Sequence, residues 1–245
     1  MGALIPFPDG GYAFLEGVYP YSQGVVALPD FAIERASFGH PVPMAEGFRR
    51  IARFLALQNR PKTALCAAEL RSPKPFSFEG FVEFNKGYVS VLEQWRLYRD
   101  GKNPVARSNV APDANPPAEP CFHAFCYTVP SVQPGSFVVA GSGEWPEGGR
   151  FPEDIVARGD VSPAGMKRKI DRVLDTMESR MKRLGTTWKH TTVTQVYSVH
   201  DIHALMPRIQ HRIRPSTITR HYCRPPISEL EFEMDVRGIS VERAV

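Results

Sequence analysis

Apolar residues in the second half of the chain recur with two different periods, and the switches between them mark out elements. Residues 136–140 (SFVVA) form a short apolar run closed by Gly141-Ser142-Gly143, which predicts a buried strand ending in a tight turn. Ser162 and Pro163 make a helix start. Met166, Ile170, Val173, Leu174, Met177, Met181 and Leu184 then hold one face at helical spacing until Gly185 closes the helix. Residues 191–199 (TTVTQVYSV) are rich in β-branched side chains and predict a strand, and Ile202, Leu205, Ile209 and Ile213 predict a second helix. Two strands follow, over 217–223 and 230–236. The second alternates Leu, Phe and Met with Glu and Asp, giving one buried and one polar face.

The first half repeats this order. Residues 25–28 can be a strand, 44–58 carry Phe48, Ile51 and Leu55 on a helical stripe, and 63–70 can be a strand. A second stripe over 78–95 contains Phe81, Tyr88, Leu92 and Trp95, and strands follow over 106–111 and 122–129. Corresponding elements sit roughly 110 to 130 residues apart, which predicts a tandem duplication with its joint near 130–135. The fold class is therefore α+β, with units at 1–130 and 131–245. Each unit is a mixed sheet with two helices on one face. The opposite face needs cover, from oligomerisation or from pairing of the halves, and ligand sites would lie at the seams. A homo-oligomer is expected, a trimer of the tandem chain in the first instance and a dimer as the other arrangement.

Composition narrows the class further. With 42% hydrophobic and 23% charged residues, disorder, collagen and coiled coil are excluded. The 23 prolines among 245 residues are about twice the usual share and cluster between elements. A net charge of +4 is spread along the chain, without a basic stripe, so nucleic acid is not an expected partner. Four cysteines are too few for a disulfide scaffold and include no C-x-x-C pair. The first residues, MGALIPFPDGGYAF, lack an export signal, and no run of 18 apolar residues occurs, so a reduced, cytoplasmic protein away from membranes is expected.

Three segments carry a family likeness. Tyr19-Pro-Tyr-Ser-Gln-Gly-Val25 resembles the PYSQAV-like signature of the Rid (YjgF-type) family of imine and enamine deaminases. Phe81-Val-Glu-Phe-Asn-Lys-Gly-Tyr88 resembles its F-x-x-x-N-x-x-Y helix, and Asn103-Pro-Val-Ala-Arg-Ser-Asn-Val110 resembles its P-A-R-S-x-V strand start. The second half matches mainly by element order. There Ala140-Gly141-Ser142-Gly143 resembles the family's Ser-Gly turn, and Leu230-Glu-Phe-Glu-Met234 resembles its last strand. The resemblance covers about 85% of the chain. It implies chorismate-mutase-like units with clefts between neighbours, where an arginine holds a substrate carboxylate and a glutamate handles water and protons at a C=N bond.

Carried over residue by residue, the anchor is Arg107, the helix asparagine is Asn85, the turn is Ser142 with Gly143, and the catalytic glutamate is Glu231. The first half lacks a glutamate in Pro120-Cys-Phe-His-Ala-Phe-Cys-Tyr127, leaving His123 as the titratable replacement. The second half lacks the P-A-R-S form, leaving Arg214 or Arg220 for the second arginine, with His221 beside them. Each half is incomplete alone, so a composite cleft is expected, with Arg107 and Asn85 of one unit facing Ser142 and Glu231 of another.

The residue types suit that chemistry. A planar guanidinium matches both oxygens of a carboxylate, and imine hydrolysis calls for water and an acid–base group, with no metal or cofactor. Glu231 and Glu233 share a face of the expected strand. A solvated polar face would use the same residues, as a plain turn would use Ser142. His200 and His203 could hold a metal but lack a third ligand in register; Asp201 between them suits a helix start. Gly141-Ser142-Gly143 opens no helix and is not a phosphate loop. The expected function is hydrolytic deamination of a carboxylate-bearing imine or enamine, with aminomuconate-type compounds fitting as substrates. A non-catalytic metabolite-binding module and a chorismate-type lyase or mutase are the rival readings.

Overall fold

The computed structural model describes residues 3–133 and 135–245; Met1, Gly2 and Pro134, half of the Pro-Gly pair at the expected joint, lie outside them. In chain order the elements are β1 (Leu4–Phe7), β2 (Tyr12–Leu15), β3 (Gly24–Ala27), β4 (Phe31–Pro43), α1 (Met44–Leu57), β5 (Leu65–Arg71), α2 (Phe78–Gln94), β6 (Ala106–Pro112) and β7 (Cys121–Pro130). The second half adds β8 (Phe137–Gly143), α3 (Pro163–Arg183), β9 (Val193–Tyr197), α4 (Met206–Ile213), β10 (Ile218–His221), β11 (Cys223–Arg224), β12 (Glu233–Gly238) and β13 (Glu242–Ala244).

The duplication is visible in the strand order. One sheet contains β4-β7-β5-β6 and the other β8-β12-β9-β10, the same path through four strands. In both, the last pair is parallel and the other neighbours are antiparallel. Helices α1 and α2 cover the first sheet through Phe48, Ile51, Leu55, Tyr88 and Leu92. Helices α3 and α4 cover the second through Ile170, Leu174, Met177, Ile209 and Ile213. The helix starts obey the local signals: Ser77 Oγ accepts from Gly80 N and Ser162 Oγ from Gly165 N. Gly185 ends α3 with φ of 75°, a left-handed conformation that suits glycine.

Three features differ from the sequence reading. The strand entering α1 is β4, not residues 25–28, because Gly24–Ala27 pairs with β8 in the other sheet and brings β1 and β2 with it. β4 escapes the hydrophobic pattern because it contains Glu34 and Arg35, both buried and paired. Segment 217–223 is not one strand. It breaks at Tyr222, so that β10 stays in the second sheet while β11 crosses to the edge of β6. The last strand begins at Glu233, not at 230, because Glu231 N and Phe232 N donate to the Glu144 carboxylate instead of to a ladder.

The faces away from the helices pack on each other within the chain, giving layers in the order helices, sheet, sheet, helices. The joint between the sheets is polar. Arg35 donates through Nε and Nη2 to both oxygens of Glu69 at 2.6 and 2.8 Å, and Glu242 accepts from both Arg35 and Arg237. Gln195 Nε2 and Tyr197 OH donate to Asp235 at 2.9 and 2.8 Å, and the Arg71 guanidinium lies over the Tyr197 ring. The open faces that led to the trimer expectation are thus covered by one another.

Candidate active site

Where the edge of β6 meets the end of β8, the two sheets leave a cavity of about 300 Å³. Strand β6 brings Arg107 and Asn109 to it, α2 brings Phe81 and Asn85, β8 ends there in Gly141-Ser142-Gly143, and β12 begins there at Glu233. Seven of the nine buried side-chain polar atoms that lack a partner among the described residues belong to this corner: Asn85 Oδ1, Tyr88 OH, both Nη atoms of Arg107, Ser108 Oγ, Asn109 Nδ2 and Trp145 Nε1. Buried polar groups are normally satisfied, so such a cluster marks where a ligand completes the structure.

Arg107 is the centre of that cluster. It is 3% exposed, and no ion pair engages it among the described residues. Four rings surround its guanidinium, with centroids at 4.9 Å for Tyr88, 5.0 Å for Tyr21, 5.5 Å for Phe81 and 5.9 Å for Phe84. Phe81, Phe84 and Tyr88 come from one face of α2, at helical spacing. Burial lowers the pKa of Arg107 and pushes Tyr21 and Tyr88 up to about 12.

Glu233 enters the cavity from the opposite sheet. Burial, followed by the nearby Asp235 carboxyl, raises its pKa well above the usual carboxylate range, against the pull of Arg71 and Arg107. A carboxyl in such surroundings is suited to holding and giving up a proton. Its position depends on Gly141: the ladder with β12 slips between Met234 and Val236, where β8 has one extra residue, and a Cβ on Gly141 would collide with Glu233 Oε1. Behind it, Glu144 and Lys169 form an ion pair of 3.0 Å with both side chains fully buried, and Glu144 holds the backbone leading into β12.

The structure brings Arg107, Asn85, Ser142 and Gly143 to this one cavity and leaves three other expected residues outside its lining. Glu231 sits before the strand and meets His200 Nε2 at 2.5 Å. His123 lies in the layer between the sheets, where burial and the Arg71 charge lower its pKa to about 4. Arg220 donates to His200 O at 2.7 Å and borders a separate shallow depression with Asp201 and Tyr222. Arg214 is exposed at the end of α4. Of the residues that do face the cavity, Asn109 and Tyr21 stood inside the matching motifs without being singled out. The two-residue step from Arg107 to Asn109 on a strand is the signal that could have found the first. All four cysteines are free and buried.

A family model described as 2-aminomuconate deaminase CnbZ matches residues 4–243. The 2-amino-5-chloromuconate deaminase of Comamonas testosteroni is 44% identical over 245 residues, covering 97% of each chain. Among solved structures, a chorismatase aligns with a TM-score of 0.51 and 10% identity over 97% of this chain and 85% of its own, a likeness of fold alone. The YjgF gene product of E. coli aligns over 42% of this chain and 80% of its own, with 11% identity and a TM-score of 0.30.

Proposed function

The chain belongs to the 2-aminomuconate deaminase CnbZ family, and on that premise we propose that it hydrolyses a carboxylate-bearing enamine or imine of the 2-aminomuconate type and releases ammonia. One observation carries the reading: a buried guanidinium with no ion-pair partner among the described residues and a buried carboxyl whose pKa burial raises reach one cavity from two different sheets. Among the described residues, neither group has an ion-pair partner that would explain its burial. Both have a chemical use.

Arg107 takes a substrate carboxylate through its two free Nη atoms. Asn85 Oδ1, an unpartnered acceptor, receives a hydrogen from the substrate nitrogen. Glu233 gives its proton to the enamine carbon, which turns the C–NH2 carbon into an iminium carbon. The resulting carboxylate takes a proton from the water that adds there, forming a carbinolamine. Glu233 then protonates the nitrogen, ammonia leaves, and the hydroxyl proton returns to Glu233 as the carbonyl forms. Water, substrate and one acid–base group balance the reaction. The first unit supplies Arg107 and Asn85 and the second supplies Ser142 and Glu233, so the cleft is composite, with residues from both units of one chain.

Freshly generated 2-aminomuconate and an ammonia assay test this. Glu233→Gln should lose a factor of about 100 or more in kcat, in line with removal of a general acid–base group, while Glu231→Gln stays within a few-fold of wild type. Wild-type kcat should fall as pH rises through the elevated pKa of Glu233. The opposite ranking of the two variants would move the acid–base role to Glu231, and a folded wild type that releases no ammonia would overturn the deaminase reading.

A further inference from the structure

Among the described residues lining the cavity Arg107 is the one cation, yet a substrate of the proposed type has two carboxylates. Asn109 lies two residues beyond Arg107 on β6 and borders the same cavity. It is 3% exposed, and its Nδ2 has no partner among the described residues. Its orientation is fixed from behind: Ser72 Oγ donates to Asn109 Oδ1 at 3.0 Å, which turns the amide N–H groups away from that contact. A buried donor held in place with nothing to donate to is costly unless a ligand accepts from it.

The spacing fits a diacid. Residues two apart on a strand leave the same face about 6.6 Å apart. The carboxyl carbons of an extended six-carbon diacid are separated by five bonds, about 6 Å end to end. We infer that Asn109 reads the second carboxylate, so that Arg107 and Asn109 together select six-carbon dicarboxylates over monocarboxylates of the same length. This deepens the proposed function and rests on it for the identity of the substrate. Selection comes from the asymmetry of the two contacts. Any carboxylate satisfies Arg107, but an acid ending in a methyl group leaves the Asn109 amide unpaired against an apolar group.

Equilibrium binding of two nitrogen-free probes separates this inference from the catalytic reading. trans,trans-Muconate has both carboxylates; sorbate has the same carbon chain with one. Calorimetric titration should show wild type preferring muconate by about tenfold or more, the range of a hydrogen bond to a charged group. In Asn109→Leu the preference should vanish or reverse, with sorbate bound at least as well as by wild type, which also shows that the pocket is folded. Asn109→Ser, a shorter donor, should fall between. Equal weakening of both probes, an unchanged preference in the variants, or no preference in wild type would overturn the inference. A diacid preference in a protein that releases no ammonia from 2-aminomuconate would sink the deaminase reading and leave this one standing.

Discussion

Replacing Arg107 by methionine should raise the stability of the unliganded protein while removing its ability to hold a carboxylate. The guanidinium sits in its box of four rings with two terminal nitrogens unsatisfied. Two buried, charged donors without partners cost about 2–6 kcal/mol together, at about 1–3 each. Four ring faces offset part of this, at about 0.5–2 kcal/mol each, while the charge on the unpaired donors raises the cost further. Methionine fills much of the same volume, and its sulfur makes favourable contacts with aromatic rings, each about 0.3–1.5 kcal/mol. The balance favours Arg107→Met by about 1–2 kcal/mol without ligand. For a chain of this size that is a rise in Tm of about 2–8 °C.

Ligand reverses the order. At a hundred times its Kd, a carboxylate ligand stabilises the wild type by about 2.7 kcal/mol and a variant that cannot bind it by nothing. Thermal unfolding with and without trans,trans-muconate reads both halves of the crossover. An unliganded Arg107→Met that melts below wild type would show that the guanidinium holds the fold together, and a variant that keeps the ligand shift would remove Arg107 as the anchor.

Two further perturbations probe the surroundings. Gly141→Ala places a Cβ against Glu233 Oε1 and within 3.1 Å of Ser108 Cβ, so the carboxyl must move. With the anchor untouched, kcat should fall by about 10- to 100-fold while binding of muconate stays within a few-fold, and unchanged kcat would refute the placement of Glu233. His123 stays neutral down to about pH 4 in the folded chain, chiefly through burial and then through Arg71, while an unfolded histidine takes its proton near 6.5. Its contribution is therefore present above pH 6.5 and lost as pH falls toward 4, by about 2–3 kcal/mol after allowing for partial exposure of the ring. Urea titrations at pH 7.5 and 4.5 should show a smaller loss for His123→Leu than for wild type, and equal losses would refute the linkage.

The helices and the duplication were legible because local patterns determine them. Ser162-Pro163, the apolar stripe from Met166 to Leu184 and Gly185 all act within one element, and two units of the same order follow from such elements alone. β4 was illegible for the opposite reason. Its Glu34 and Arg35 look like solvent-facing residues until Tyr127 and Glu69 are known to meet them. The exchange of β1–β3 into the second sheet likewise depends on pairing with β8, more than a hundred residues away in sequence. Arg107 and Asn85 were reached through motifs that describe a strand start and a helix face. Which of Glu231 and Glu233 borders the cavity was not legible, because alternation places both on one face and only the buried carboxylate of Glu144 decides where the strand begins.

That dependence explains why a polar joint between the sheets suits this protein. Along β12, Glu233, Asp235 and Arg237 point the same way at two-residue steps: the first borders the cavity, the second accepts from Gln195 and Tyr197, and the third donates to Glu242. A buried ionic joint contributes little net stability compared with a well-packed apolar one, since desolvation offsets most of the attraction. What it does supply is register. An apolar face would tolerate sliding of one sheet over the other, whereas a shift of β12 by a single residue would turn all three side chains into the helix layer and break every pair at once. Arg35 and Glu69, which Glu242 connects to Arg237, hold the other end of the same joint. The relative placement of Arg107 and Glu233, one from each sheet, then depends in part on the Arg35–Glu242–Arg237 bridge, which lies outside the cavity lining.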